Sequence, residues 1–208
     1  MPRAPKVDAL IFDFGNIVVD IDFARVFEAW GRAAGVPAAD IARRFAFDAA
    51  YQGHELGEID SAEYFAAVRR SCGVELTDDD FLAGWNAIFV APRAGMDELL
   101  ATLAARLPLY LFSNTNALHQ AYWSAQYREI LRHFARIYCS HELGLRKPSP
   151  AAFIKIARDV GIAPSRLAFF DDTAENVEGA RQAGLHAFHV TSVPHLRDVL
   201  ENELHIPR

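Results

Sequence analysis

Short, wholly apolar runs alternate with longer stretches of helical periodicity along most of the chain. Val7–Phe12, Leu109–Phe112, Ile137–Cys139, Leu167–Phe170 and Ala187–Val190 read as strands. Several hold no polar position, as expected where helices cover both faces of a parallel sheet. Helices with recognisable ends lie between them. Ser149-Pro150 sets an N-cap residue before a first-turn proline, Gly161 follows the last turn, and Gly184 closes Ala174–Ala183. The alternation predicts an α/β core, a parallel sheet with crossover helices.

From about Asp22 to Ala91 no convincing strand appears. Asp60-Ser61-Ala62-Glu63 gives a capping signal ahead of Tyr64–Cys72, and Gly73 ends that helix. Thr77 followed by Asp78, Asp79 and Asp80 loads a helix start with negative charge, which the helix dipole favours; four consecutive positions spread around a helix and do not converge on a metal. The expected organisation is a core of residues 1–21 and 92–208 with a small all-helical cap, residues 22–91, inserted after the first strand.

Composition narrows the class. At 208 residues, 51% hydrophobic and 23% charged, the chain can bury a large core, which excludes disordered, collagen-like and coiled-coil readings. A formal charge of −6 argues against a nucleic-acid groove. Cys72 and Cys139 make no disulfide framework and have no metal spacing. Met1–Asp8 lacks an apolar run suited to a signal peptide, and no stretch has the length of a membrane span. The expectation is a cytoplasmic monomer or homodimer without nucleic-acid or membrane partners.

Chemistry gathers where strands end. The first runs into Asp13 (IFDFGN), the second into Ser113-Asn114 (LFSNTN) and the fourth into Asp171-Asp172 (FFDDTAEN), while Lys147 precedes the Ser149-Pro150 helix start. In an open parallel sheet the ligand crevice lies outside the carboxyl ends of the strands, so these groups can converge. Carboxylates without His or Cys suit a hard cation, Mg²⁺ being the natural choice. Beside Ser, Asn and Lys donors, such a centre is a receptor for a phosphoryl group, with Asp13 a candidate nucleophile.

These residues resemble the haloacid dehalogenase-like (HAD) superfamily, in particular its phosphatases with a helical cap. The resemblance rests on Asp13-Phe14-Gly15-Asn16, Ser113-Asn114, Lys147-Pro148 and Asp171-Asp172 with Asn176, in that order over Val7–Val190. DFGNIVVDIDFARVFEAW, SNTNALH, LGLRKP and FFDDTAENVEGA look like the bacterial α-glucose-1-phosphate phosphatase subgroup. The resemblance implies a Rossmann-like core and a Mg²⁺-dependent phosphatase acting on a small phosphorylated metabolite. It implies that Asp13 attacks phosphorus and binds Mg²⁺, that the Gly15 carbonyl and Asp172 are further ligands, and that Asp171 supports them. Ser113 and the amide of Asn114 would hold phosphoryl oxygens, Lys147 would neutralise nucleophile and phosphate, and Asn176, with Asn16, would support the acidic end.

One position departs from the pattern. Most phosphatases of the superfamily carry a second Asp, the general acid and base, where this chain has Gly15. General acid help is worth roughly two to four decades in rate. Three readings compete: an anomeric leaving group that departs without help; another proton donor, with Asp20, Asp22, His54 and His119 as candidates; or a metal-free haloacid dehalogenase. A non-catalytic phosphate-binding protein is a further alternative. In the cap, Tyr51–Gly57 (YQGHELG) is expected to break the helices as a glycine turn, either facing the site with His54 and Glu55 on a sugar or merely connecting helices; Asn116 is a further substrate candidate. His186 and His189 face opposite sides of a strand, and His141-Glu142 is expected to be a loop pair. Trp30, Trp85 and Trp123 are expected to pack in the core or between domains.

Overall fold

A computed structural model describes residues 5–206, so the first four residues of the N-terminal stretch read above, and the outer bounds of the expected core, lie outside the described residues. The chain runs β1 (Ala9–Phe12), β2 (Val19–Ile21), α1 (Phe23–Ala34), α2 (Ala38–Arg44), α3 (Ala49–Leu56), α4 (Ser61–Cys72), α5 (Asp78–Asn86) and β3 (Phe89–Pro92). It continues through α6 (Met96–Ala104), β4 (Leu109–Ser113), α7 (Ala117–Gln126), α8 (Arg128–Leu131), β5 (Arg136–Cys139) and α9 (Ser140–Leu143). It ends with α10 (Pro150–Val160), a 3₁₀ turn at Pro164–Arg166, β6 (Leu167–Asp171), α11 (Ala174–Gln182), β7 (His186–His189) and α12 (Val193–Asn202).

Five parallel strands form one sheet in the order β5-β4-β1-β6-β7. Its strands are those read from the apolar runs. β1 is central, and the chain builds outward on one side before crossing to the other, which makes the β1/β6 boundary the switch point where crevices open. The period of two along β1 divides the core. Leu10 and Phe12 pack on one face among Leu109, Leu111, Phe170 and Leu100, while Ala9 and Ile11 pack on the other among Phe112, Phe153, Phe169 and Ile156. Each such buried side chain contributes roughly 1.5–3 kcal/mol relative to exposure.

Helices α1 to α5 all fall between β2 and β3, which pair antiparallel as a two-stranded ribbon. The expectation of no strand from about Asp22 to Ala91 is therefore corrected: Phe89–Pro92 is a strand with three exposed positions and a register shift against β2, so it shows neither a continuous apolar run nor clean alternation. The helix ends obey local chemistry. Asp60 and Glu63 form a complete capping box on α4, and Gly73 and Gly161 take left-handed backbone at helix ends. Thr77 accepts the Asp80 N–H at the start of α5, and Asp78 pairs with Arg69 at 2.5 Å, so the acidic run serves the helix. Ser149 stands at the start of α10 but its side chain makes no capping bond, and Pro150 supplies the helix start. His141 and Glu142 lie on the one-turn helix α9, not in a loop.

The stretch Tyr51–Gly57 is also corrected. It is helix α3, with Gly53 inside it and Gly57 as its left-handed end at φ 71°. Trp30, Trp85 and Trp123 are buried, as expected, with Trp30 stacked on Trp85 at 5.8 Å. No helix is long and apolar enough to cross a membrane among the described residues.

Candidate active site

The carboxyl ends of β1, β4 and β6 adjoin because the strands do. Asp13 follows β1 and stays in register through its N–H to the Phe170 carbonyl at 2.9 Å; Ser113 ends β4 and Asp171 ends β6. Between these strand ends and the helical layer lies a cavity of about 510 Å³. Asp13, Gly15, Asn16, Ser113, Asn114, Lys147, Asp172 and Asn176 line it.

Lys147 is the electrostatic centre. Its ammonium donates to Asp13 Oδ1 at 2.5 Å and to Asp171 Oδ2 at 2.8 Å, and its side chain is 1% exposed. Phe112 and Phe169 flank it, each ring 5.5 Å from Nζ, so aromatic faces cover the charge that the carboxylates leave open. Burial alone would lower its pKa, but Asp13 and Asp171 raise it above the ordinary lysine value. Two devices fix its place. Asn114 bonds the Lys147 backbone twice, accepting its N–H at 2.9 Å and donating to its carbonyl at 3.0 Å. Gly179 on α11 lies so close to Pro148 that a Cβ there would stand 1.8 Å from the Pro148 carbonyl oxygen.

Asp171 is fully buried and saturated, accepting from Lys147, from Asn176 Nδ2 at 3.1 Å and from the Thr173 N–H at 2.8 Å. Asp172 faces the cavity, with one oxygen held by Asn16 Nδ2 at 3.0 Å. Asn16 reaches it from a left-handed backbone, φ 57°, a conformation asparagine tolerates.

Among the described residues, Asp13, Asp171 and Asp172 form a cluster with one carboxylate oxygen each, all within 4.8 Å of one another. One ammonium is shared by two of them, Asp13 and Asp171. Burial, with Asp171 and Asp172 adding to it, pushes the Asp13 carboxyl up to about 7 against the pull of Lys147. A second cation would remove that strain, and an all-oxygen donor set suits a hard divalent ion, so the residues fit Mg²⁺.

The remaining candidates separate. Gly15 lines the cavity, and the space beside its Cα is filled by Ile21, whose Cδ1 would lie 2.9 Å from a Cβ at that position. Asp20 pairs with Arg93 at 3.0 Å, and Asp22 caps α1; neither lines the cavity. His54 is buried away from it, stacked on Tyr64 at 4.4 Å with its Nε2 on Ser61. Asn116 is buried as the cap of α7 and does not line it either. His119 does, but its Nε2–H donates to the Trp85 carbonyl at 3.1 Å and burial lowers its pKa to about 3, so it is a neutral wall. His186 and His189 each bond a backbone carbonyl.

Glu55 lines the cavity and pairs with Arg146, a residue the motif reading passed over although it immediately precedes Lys147. Thr115, Phe23, Phe47, Gln52 and Trp123 were also missed as lining residues. No local pattern marks them, because tertiary packing alone turns them inward.

A family model described as haloacid dehalogenase-like hydrolase matches residues 7–184. The chain is 25% identical over 184 residues, 86% of its length and 89% of the relative's, to a D-ribitol-5-phosphate phosphatase of Bacteroides thetaiotaomicron. It is 25% identical over 207 residues, 96% of its length and 94% of the relative's, to a phosphatase of Mycobacterium tuberculosis. A HAD family enzyme from Bacteroides thetaiotaomicron, solved in complex with magnesium and inorganic phosphate, superposes with a TM-score of 0.75 at 26% identity, covering 88% of this chain and 93% of that one. With the motifs on adjoining strand ends and the model spanning most of its length, the chain belongs to the haloacid dehalogenase-like hydrolase family.

Proposed function

We propose that this chain is a Mg²⁺-dependent phosphomonoester hydrolase that works through an aspartyl-phosphate on Asp13, with sugar phosphates such as glucose 1-phosphate as its substrate class. The observation that carries the reading is the Asp13 carboxylate at the cavity end of the central strand, 2.5 Å from a buried lysine and beside Asp172. The D-ribitol-5-phosphate phosphatase among its relatives supports a polyol or sugar phosphate without singling out glucose 1-phosphate.

Asp13 Oδ attacks phosphorus, the P–O bond to the alcohol breaks, and water then attacks phosphorus to release phosphate and restore the carboxylate. Lys147 pulls Asp13 toward its charged form against burial and fixes its orientation. Ser113, at the end of β4, and Lys147 face the phosphoryl group from the chain's own side. Asp13, Asp172 and the Gly15 carbonyl would hold Mg²⁺, which when bound supplies charge stabilisation at the phosphoryl oxygens. Asp171 orients Lys147 from below. Residues 22–91 act as a cap over this end, excluding water during transfer.

The space where the superfamily's acid would stand holds Ile21 instead, and Asp20, Asp22, His54 and His119 are each off the cavity or held neutral. A leaving group that departs as a weak base suits such a site, which favours anomeric phosphates over primary ones. A substrate panel with Mg²⁺ and with chelator tests both parts. Activity on glucose 1-phosphate exceeding that on glucose 6-phosphate, abolished by chelator and restored by Mg²⁺, is the expected result. Preference for the primary ester contradicts the leaving-group argument; chelator-resistant turnover of a 2-haloacid would put the dehalogenase in its place.

A further inference from the structure

Phe23, Phe47, Tyr51, Gln52 and Trp123, all uncharged, also line the cavity. Among the described residues, Lys147 and Arg146 are the Lys and Arg side chains that line the cavity. Lys147 is held between Asp13 and Asp171. Arg146 is paired as well: its Nε at 3.0 Å and Nη2 at 2.7 Å converge on one oxygen, Oε2 of Glu55, whose side chain is 7% exposed against 27% for Arg146.

Glu55 cannot easily withdraw from this pairing, because α3 is pinned where it stands. Its backbone carbonyl accepts the buried Ser140 hydroxyl at 2.6 Å. Two residues on, Gly57 lies so close to α9 that a Cβ would stand 2.7 Å from the His141 carbonyl oxygen. A substrate whose alcohol carries its own carboxylate or second phosphate would therefore meet two spent cations, with Glu55, Asp172 and Glu175 also on the wall. Like charges brought together in a confined site repel, and discrimination is built from such repulsion as much as from attraction.

We infer that Glu55, by occupying Arg146, is a specificity-determining residue that reserves the site for phosphate monoesters of uncharged polyols and rejects phosphorylated acids and bisphosphates. The inference rests on the phosphatase reading above and deepens it.

Matched esters differing by one charge test it. With Mg²⁺ present, kcat/KM is measured for glucose 1-phosphate against glucuronic acid 1-phosphate, and for glycerol 3-phosphate against 3-phosphoglycerate. p-Nitrophenyl phosphate reports the chemistry itself. The parent protein is expected to favour a neutral member by about 100-fold, through KM more than kcat. Glu55→Gln keeps the shape, frees the Arg146 charge and should narrow that ratio about tenfold or more. Replacing Arg146 by Gln in the same chain should remove the gained tolerance. A parent protein that hydrolyses p-nitrophenyl phosphate but treats the members of each pair alike, or turns over neither neutral ester, overturns the inference whatever the variants do. So does a folded Glu55→Gln protein with an unchanged ratio. If p-nitrophenyl phosphate is itself untouched, the phosphatase reading has failed and this inference falls with it.

Discussion

Lys147 shows how one residue ties stability to chemistry. An ammonium with a 1% exposed side chain has lost its hydration, and the carboxylates of Asp13 and Asp171 at 2.5 and 2.8 Å replace it. Removing one partner of such a cluster leaves the others buried without a counter-charge. Lys147→Met should therefore lower unfolding stability by about 3–5 kcal/mol, read as the urea midpoint. Added Mg²⁺ should restore part of the loss, because a cation among the remaining carboxylates takes over the neutralisation. A variant as stable as the parent would mean that Lys147 is not their counter-ion. Lys147 was legible in the sequence because it precedes a helix start and stands third in the ordered set of motifs. Its environment was not, since Phe112 and Phe169 come from strands far away in the chain.

Elements act on the site through contacts that no single segment contains. Helix α11 approaches the Lys147-Pro148 segment because Gly179 has no side chain, and the atom in the way of a Cβ is a backbone oxygen that cannot rotate aside. Gly179→Ala should displace the helix from Lys147 and lower kcat with far less effect on overall helicity, checked by kinetics alongside far-UV circular dichroism; unimpaired turnover would contradict this. The three inner strands β1, β4 and β6 were readable because each buries nearly every position, and the edge strands β5 and β7 by short apolar stretches although they bury fewer, whereas β3 exposes three of four and leaves no pattern. Helix α3 was misread for a local reason: glycines at positions 53 and 57 signal a turn, yet only Gly57, with its positive φ, ends the helix. Helices α5 and α7 meet through His119, stacked 4.5 Å from Trp85 and held neutral by burial. Its pKa is about 3 folded and near 6.5 unfolded, so between those values the unfolded chain binds the extra proton. Its contribution is complete above the unfolded pKa and is lost as pH falls toward the folded one. His54, lowered to about 4 first by burial, acts in the same sense. Stability measured by urea should fall from pH 7 to pH 5, and His119→Gln should flatten that slope. An equal slope in the variant would show that His119 is not responsible.

At the scale of the molecule, topology does the gathering. A strand order with β1 in the centre brings Asp13 between the ends of β4 and β6, so acids 158 and 159 residues downstream reach the cluster that includes it. The polar end of the cavity was accordingly legible from strand-end residues alone. The rest of its wall was not, because Phe23, Phe47 and Gln52 join Arg146 there only when the segment between β2 and β3 covers the sheet's carboxyl edge. The same arrangement explains why Asp20, Asp22 and His54 fail as proton donors: the ribbon and helix packing consume them before they reach the cavity. What the whole fold serves, on this account, is transfer of a phosphoryl group to one carboxylate. Rapid acid quench during turnover of ³²P-labelled glucose 1-phosphate, followed by borohydride reduction and mass spectrometry of the peptide carrying Asp13, measures that transfer directly. The account predicts label that appears on Asp13, is absent from the Asp13→Asn protein and is lost on chase with unlabelled substrate. Steady turnover with Asp13 unmodified, or label on another side chain, would contradict it.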